Sequence, residues 1–540
     1  MAQLTGGQAV VQSLLHHNID TLFGVPGVQN DWLYNALYDA RDLIRVIHAR
    51  HEQGAGYMAL GYAMATGEPA VFSVVPGPGL LNAAAALSTA YALNEKVVCL
   101  VGQIPSTAIG RQQGELHEIN DQLGIVRGLT KWAERATSPA QIPSLISEAF
   151  RQLSSERPRP VGLEIPMDIL KATGEVDIEV SPIAPYVPPL DLELIERAAN
   201  ALGKAKNPII YVGSGAIGVH EEVKALAEMV QAPVVDNRTG RGILDNRHPL
   251  SLPLYASHEY WKSTDVVLAI GSNARTPLKQ WGVDGNMTII RIDVDPTTHS
   301  LFTNPQIAIT ARAEDALPRL LERTAAHNRQ RDSHEEELQK LNALWAERTA
   351  YLEPQNSYLK VIRESLGEEG ILVDELTQVG FAARLTYPVY RPRTYLTPGY
   401  QGTLGYGFPT ALGVKVAKPA LPVISITGDG GFMFSPQSLA TAVQHQIGLV
   451  TIVFNNNQYG NVQQMQRNLY DNRVIATDLV NPDFVKMAES YGALGLLVET
   501  PEQLRTSIQR GLAHDGPTLI EVPIGDVPSI DRFRGLPRVR

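Results

Sequence analysis

The chain has 540 residues, of which 44% are hydrophobic and 19% charged, with a formal net charge of -10. That length exceeds what one hydrophobic core supports and calls for about three domains. The acidic balance excludes the basic face that a nucleic-acid binder needs, and no apolar run reaches the roughly 18 residues of a membrane span.

The start, MAQLTGGQAVVQSLLHHNID, has no basic opening and no long apolar stretch, so it does not read as a signal peptide. Short β-branched runs then alternate with longer helical patterns: VFSVV (71–75), VVCLV (97–101), PIIYVG (208–213), DVVLAIG (265–271), TIIRIDVD (288–295), VISITGD (423–429) and LVTIVFN (449–455). Strands this apolar indicate parallel sheets with helices on both faces. The single cysteine, Cys99, lies in one such run and reads as a buried strand residue. With no disulfide possible inside the chain, a reducing, cytoplasmic setting is expected. Proline-rich SPIAPYVPPLD (181–191) reads as a linker, and the charged stretch near 320–349 as a solvated helix between domains. The expected fold is α/β, with three doubly wound parallel-sheet domains over 1–180, 190–330 and 350–540.

The first and third of these domains read as copies. An offset of 352 aligns AVFSVVPGPGL (70–80) with PVISITGDGGF (422–432) and VVCLV (97–101) with LVTIV (449–453). Identities include Ala59/Ala411, Gly61/Gly413, Ser73/Ser425, Gly79/Gly431 and Leu87/Leu439. Strand, turn, helix and next strand keep one register, as a duplication would. The copies differ at the strand–helix turn: Pro76-Gly77-Pro78-Gly79 in the first, Gly428-Asp429-Gly430-Gly431 in the second. Only the second turn keeps an acid that could hold a cation. One ligand gripped at two ends by different chemistry is the expectation.

The third domain supplies the cation chemistry. Strand VISIT ends at Gly428-Asp429-Gly430, and the next strand ends at Asn455-Asn456-Asn457-Gln458-Tyr459-Gly460. From 429 to 456 is enough chain for one helix and a returning parallel strand. Both groups then lie at the carboxyl edge of one sheet, where α/β folds bind ligands. The carboxylate of Asp429 and the amide oxygen of Asn456 are hard ligands suited to Mg²⁺ or Ca²⁺ beside a diphosphate. Glycines allow main-chain N–H groups close to phosphate oxygens.

GDG-x24-NN, each half on a strand end, resembles the signature of the thiamine-diphosphate enzyme superfamily, and most closely its acetolactate-synthase-like group of decarboxylases and carboligases. The likeness extends through FGVPG (23–27), GPGLLNAAAAL (77–87), VGQIPS (101–106), PRPVGLEIP (158–166) and IRIDVDP (290–296). It implies a pyrimidine-binding first domain, a Rossmann-like central domain and a diphosphate-binding third domain. It implies thiamine diphosphate with Mg²⁺ held by Asp429, Asn456 and the main-chain oxygen of Gln458, lined by Gly428, Gly430, Gly431 and Tyr459. IHARHEQGAGYMALGYA (47–63) resembles the family segment whose glutamate, here Glu52, hydrogen-bonds N1′ of the aminopyrimidine and favours the imino tautomer that deprotonates C2. Thr403-Leu404-Gly405-Tyr406-Gly407 resembles the segment beneath the bent cofactor: Leu404 would support the bend and the Gly402 carbonyl would accept from the 4′-amino group. Core packing is the alternative for Leu404. Family active sites lie between subunits, which implies a homodimer or homotetramer acting on a small 2-oxo acid, aldehyde or acyl-CoA compound.

Two departures from true acetolactate synthases weaken pyruvate as the substrate: Leu116-His117-Glu118 replaces a Phe-Gln-Glu segment, and Met167 replaces a lysine. His117 either meets the reacting carbonyl as an acid–base group or only anchors its loop to Glu115 or Glu118. Related branches include benzaldehyde-lyase-type carboligases and 2-hydroxyacyl-CoA lyases. The rival class is an NAD(P)-dependent oxidoreductase, on Gly213-Ser214-Gly215-Ala216-Ile217-Gly218 with Asp236 beyond the next strand. FAD, held by some family members in the central domain, is not expected. The tail RFRGLPRVR, with Arg532, Arg534, Arg538 and Arg540, reads as a solvated or interface segment rather than a lid over an anionic substrate.

Overall fold

The β-branched runs form parallel strands in three sheets. In the first, Arg45–His48, Thr21–Gly24, Ala70–Val74, Val97–Gln103, Val161–Pro166 and Trp132–Arg135 lie side by side in that order, all parallel. Ala70–Val74, Val97–Gln103 and Val161–Pro166 are buried at every position, which is why their sequences do not alternate. Cys99 is wholly buried there, and burial pushes its thiol pKa well above the ordinary range. The computed structural model describes every residue except Ser181, Gln330 and Arg534. It divides into two units: Met1–Tyr186 with Val373–Thr377 and Pro398–Pro523, and Val187–Leu372 with Gln378–Thr397 and Ile524–Arg540.

The first unit holds both copies of the repeat. Val423–Gly428, Val450–Asn455, Thr518–Pro523 and Leu494–Leu497 are parallel neighbours in that order. They repeat the order of Ala70–Val74, Val97–Gln103, Val161–Pro166 and Trp132–Arg135. The offset of 352 carries Val71 and Val98, inside the first two strands, onto Val423 and Val450, which open their counterparts. Helices Glu52–Thr66 and Gly407–Ala417 pack against each other and are apolar almost all round, as helices covered on every side must be. At their crossing Gly61 faces the carbonyl of Thr410, and Gly413 faces the carbonyl of Met58. The offset exchanges the two contacts, so the copies meet about a local pseudo-two-fold axis.

The second unit contains a five-stranded parallel sheet in the order Val234–Asp236, Pro208–Val212, Val266–Ile270, Thr288–Asp293, Ile307–Thr310. The charged segment is not one helix: Ala313–His327 and Glu335–Thr349 are separate, and the second buries Leu338, Trp345 and Thr349. The arginine-rich tail docks on its own unit. Val539 and Arg540 donate main-chain N–H bonds to the Trp281 carbonyl (2.9 and 3.1 Å), and His258 Nε2 lies 2.9 Å from the Pro537 carbonyl. Arg532 stacks over the Tyr351 ring. Arg534 lies outside the described residues. Among those residues no helix is long and apolar enough to cross a membrane.

Candidate active site

In the first copy the chemistry gathers around the turn Pro76-Gly77-Pro78-Gly79. Glu52 opens helix Glu52–Thr66, whose N-terminus is capped by the His51 ring accepting from the Gln53 N–H. The half-buried Glu52 carboxylate accepts from Asn82 Nδ2 at 3.0 Å, and its Oε1 would lie 3.6 Å from a Cβ on Gly79. On the other side of the turn the His117 carbonyl presses on Gly77. Gly77 in turn donates its N–H to Gln122 Oε1 (2.8 Å), and Gln122 Nε2 reaches the buried carboxylate of Glu164 (2.9 Å). The turn is thus fixed from beneath, with Glu52 and His117 flanking it.

His117 has a positive φ of 69°, unusual for a side-chain-bearing residue and worth a functional reading. Neither Glu115 nor Glu118 holds its ring. Glu118 instead accepts the Gly114 and Glu115 N–H groups, and His117 Nδ1 meets Gln29 Oε1 at 3.0 Å. The amide nitrogen of Gln29 is engaged with the Leu116 carbonyl at 2.8 Å. Its oxygen therefore faces the ring, which assigns Nδ1 as the donor in that bond.

In the second copy the corresponding turn carries side-chain oxygens. Asp429 is buried, and desolvation raises its carboxyl pKa, partly offset by an Asn481 hydrogen bond and by main-chain N–H groups of Gly430 and Gln458. Gln458 is thereby set beside Asp429. Asn481 Nδ2 lies 2.7 Å from Asp429 Oδ2, 3.0 Å from Asn455 Oδ1 and 3.1 Å from Asn457 Oδ1. Three hard oxygens thus converge on one positively polarised group, an arrangement that suits a small divalent cation. The Asn456 amide lies toward Gly460, with its two neighbours sharing Asn481. The Tyr459 ring covers Gly430, where a Cβ would come within 2.6 Å of it.

Gly402 and Gly405 both take positive φ, 56° and 77°, and turn the chain before helix Gly407–Ala417. Leu404, between them, is half-buried rather than a core residue. Beneath this segment lies Glu375, which sequence reasoning missed. It is fully buried and accepts hydrogen bonds from the N–H groups of Gly405, Tyr406 and Gly407 and from the Thr427 hydroxyl. Burial raises its pKa to about 7 despite these donors. The available signal was an acid ending the apolar run ILVDE (371–375) at a sheet's carboxyl edge. Asn82, Gln29 and Asn481 were missed as well, since a lone amide carries no pattern.

The structure therefore brings Glu52 and His117 together at one turn, and Asp429, Gln458 and Tyr459 at the other, while Glu375 binds the Gly405–Gly407 main chain that directly follows Leu404. The dinucleotide pattern in the second unit is used for packing. Gly213 and Gly215 lie against Gly271, and Gly218 against the Glu314 carboxylate. A 3-10 turn, Ser214–Val219, separates the strand from helix His220–Val230, so no α-helix N-terminus is presented at the glycines.

Comparison with known proteins agrees with this division of labour. The family described as "Thiamine pyrophosphate enzyme" matches three times: its N-terminal TPP binding domain over residues 4–125, its central domain over 195–320 and its C-terminal TPP binding domain over 376–522. A probable 2-ketoarginine decarboxylase of Pseudomonas aeruginosa is 33% identical over 527 residues, covering 96% of this chain and 94% of that protein. The large subunit of acetolactate synthase isozyme 3 of Escherichia coli is 31% identical over 550 residues, covering 95% and 93%. The chain belongs to the thiamine pyrophosphate enzyme family, in its acetolactate-synthase-like group. It uses thiamine diphosphate to break or form a carbon–carbon bond of a 2-oxo acid.

Proposed function

We propose that the chain is a lyase or transferase that decarboxylates a 2-oxo acid other than pyruvate, releasing an aldehyde or passing the acyl unit to a second carbonyl compound. When bound, thiamine diphosphate would supply a nucleophilic carbon and a sink for the electron pair of the bond to be broken. Asp429, Asn456 and the Gln458 main-chain oxygen would hold Mg²⁺ beside the diphosphate. Gly428, Gly430 and Gly431 would admit its oxygens to main-chain N–H groups, with Tyr459 over Gly430. The Gly402 carbonyl and Leu404 would hold the pyrimidine end, and the Glu52 carboxyl would hold a proton at its N1′. His117 Nε2 orients or protonates the reacting oxygen or carbon.

The observation that carries this reading is the split of chemistry between the two copies: an acid and an imidazole at one strand–helix turn, hard oxygens at the other. Each copy equips one end of a single cofactor, and the subunits of a homodimer or homotetramer complete one another's sites. Met167 and the Leu116-His117-Glu118 segment, both unlike acetolactate synthases, support a substrate other than pyruvate. The 2-ketoarginine named for the Pseudomonas relative makes a cationic 2-oxo acid worth testing. The central domain carries no FAD in this reading, because the glycines that could approach a nucleotide are filled by Gly271 and Glu314. A cytoplasmic setting accords with the lone buried cysteine.

The test is product detection across a panel of 2-oxo acids, aldehydes and acyl-CoA compounds, with thiamine diphosphate and Mg²⁺ supplied. Turnover of a 2-oxo acid other than pyruvate with loss of CO₂ supports the proposal. Cleavage of acyl-CoA compounds alone, or turnover of pyruvate alone, refutes it. A flavin absorbance band in the purified protein would refute the FAD statement.

A further inference from the structure

The carboxylate of Glu375 takes no part in the chemistry above, yet it touches both segments of the third domain to which the proposed function assigns cofactor contacts. Oε1 accepts the Gly405 N–H, and Oε2 accepts the Gly407 N–H at 3.2 Å and the Thr427 hydroxyl at 2.6 Å. Thr427 directly precedes Gly428-Asp429-Gly430. Gly431 lies against the same carboxylate, where a Cβ would come within 2.6 Å of Oε1. Gly405 ends the turn begun at Gly402, so the carboxylate spans from the pyrimidine-facing turn to the diphosphate-facing turn. A buried carboxylate with several donors is a fixed joint, because moving either segment strips it of hydrogen bonds that water cannot replace.

We propose that Glu375 is a positioning residue that sets the distance between the Gly402–Leu404 turn and the Gly428–Gly431 turn, and thereby the bent form of the cofactor that the site accepts. This rests on the proposed cofactor contacts of those turns. Glu375→Gln keeps the size of the side chain but puts an NH₂ where main-chain and hydroxyl donors already point, breaking part of the joint.

The experiment compares two ligands by calorimetry, each with Mg²⁺: thiamine diphosphate, which must reach both turns, and inorganic diphosphate, which needs only the second. Loss of a buried hydrogen bond corresponds to about a tenfold change in affinity. Glu375→Gln should bind thiamine diphosphate about tenfold or more weakly while binding inorganic diphosphate within about twofold of wild type. Equal loss of both ligands would make Glu375 a general structural residue and overturn the proposal, as would no loss of either. Should Glu375→Gln not fold, Glu375→Asp is read in the same way: it keeps the charge but is one methylene too short for both turns. If instead the assignment of the cofactor to these turns were wrong, Asp429→Ala and Leu404→Ala would leave wild-type affinity for thiamine diphosphate intact, a failure distinct from that of Glu375.

Discussion

Gly61 and Gly413 each lie against a main-chain carbonyl of the opposite helix, Gly61 on Thr410 and Gly413 on Met58, and the repeat offset of 352 turns one contact into the other. Two helices can cross this closely only where both lack a Cβ. The consequence is a stiff platform beneath the two strand–helix turns.

Gly413→Ala should therefore force the helices apart. Overpacking of this kind costs about 1–3 kcal/mol, visible as a lowered Tm. Gly61→Ala should do the same, and the double variant should cost less than the sum, since the first substitution already separates the helices. Unchanged Tm in both single variants would contradict the close crossing.

Asp429→Ala removes the carboxylate from the three oxygens that Asn481 Nδ2 reaches among the described residues. Calorimetry in Mg²⁺ should show thiamine diphosphate affinity reduced by about 10²-fold or more, the scale of losing a buried charged partner. Affinity equal to wild type would remove Asp429 from the cation site.

His117→Ala should lower turnover by about 10²-fold, the scale of acid–base groups, with cofactor affinity preserved. Gln29→Ala should lower turnover less, because it frees the ring without removing it. Near-wild-type turnover per cofactor-loaded site in His117→Ala, together with a lowered Tm, would reduce His117 to a loop anchor.

Burial lifts the pKa of Glu375 from 4.5 to about 7. The native chain then holds a proton over that window that the unfolded chain releases, so stability is highest at the acid end and falls as pH rises through about 4.5 to 7. At about 1.4 kcal/mol per pH unit the cost reaches about 3 kcal/mol at most. The groups facing this carboxylate, Tyr57 and Tyr406, do not titrate there, since burial raises both hydroxyl pKa values. Asp374 is its chain neighbour and is present in both proteins compared. Tm followed from pH 5 to 8 should fall more steeply in wild type than in Glu375→Gln. Parallel curves would show that Glu375 does not titrate in this range.

The parallel strands and the duplication were legible in the sequence because strands buried on both faces must be apolar throughout, and VFSVV, VVCLV and VISIT are. That the turn at Asp429 and the segment carrying Asn456 end neighbouring parallel strands was legible, because the spacing between them leaves room for a helix and a returning strand. What was not legible depends on partners far along the chain. Glu375 matters through Gly405, 30 residues on, Asn481 through Asp429, 52 residues back, and Gln29 through His117, 88 residues on. The Gly213–Gly218 pattern, which the sequence offered only as a rival reading, has Gly213 and Gly215 against Gly271 and Gly218 against Glu314. The tail read as a solvated or interface segment from charge alone; in the structure Arg540 donates to the Lys262 carbonyl at 3.0 Å.

The central claim is that Glu52 activates thiamine diphosphate at C2, and it is tested without knowing the substrate by C2–H/D exchange of the bound cofactor, followed by NMR. Wild type should exchange far faster than free thiamine diphosphate, and Glu52→Gln should slow exchange by about 10²-fold or more at unchanged fold. Exchange in Glu52→Gln at the wild-type rate would contradict the account.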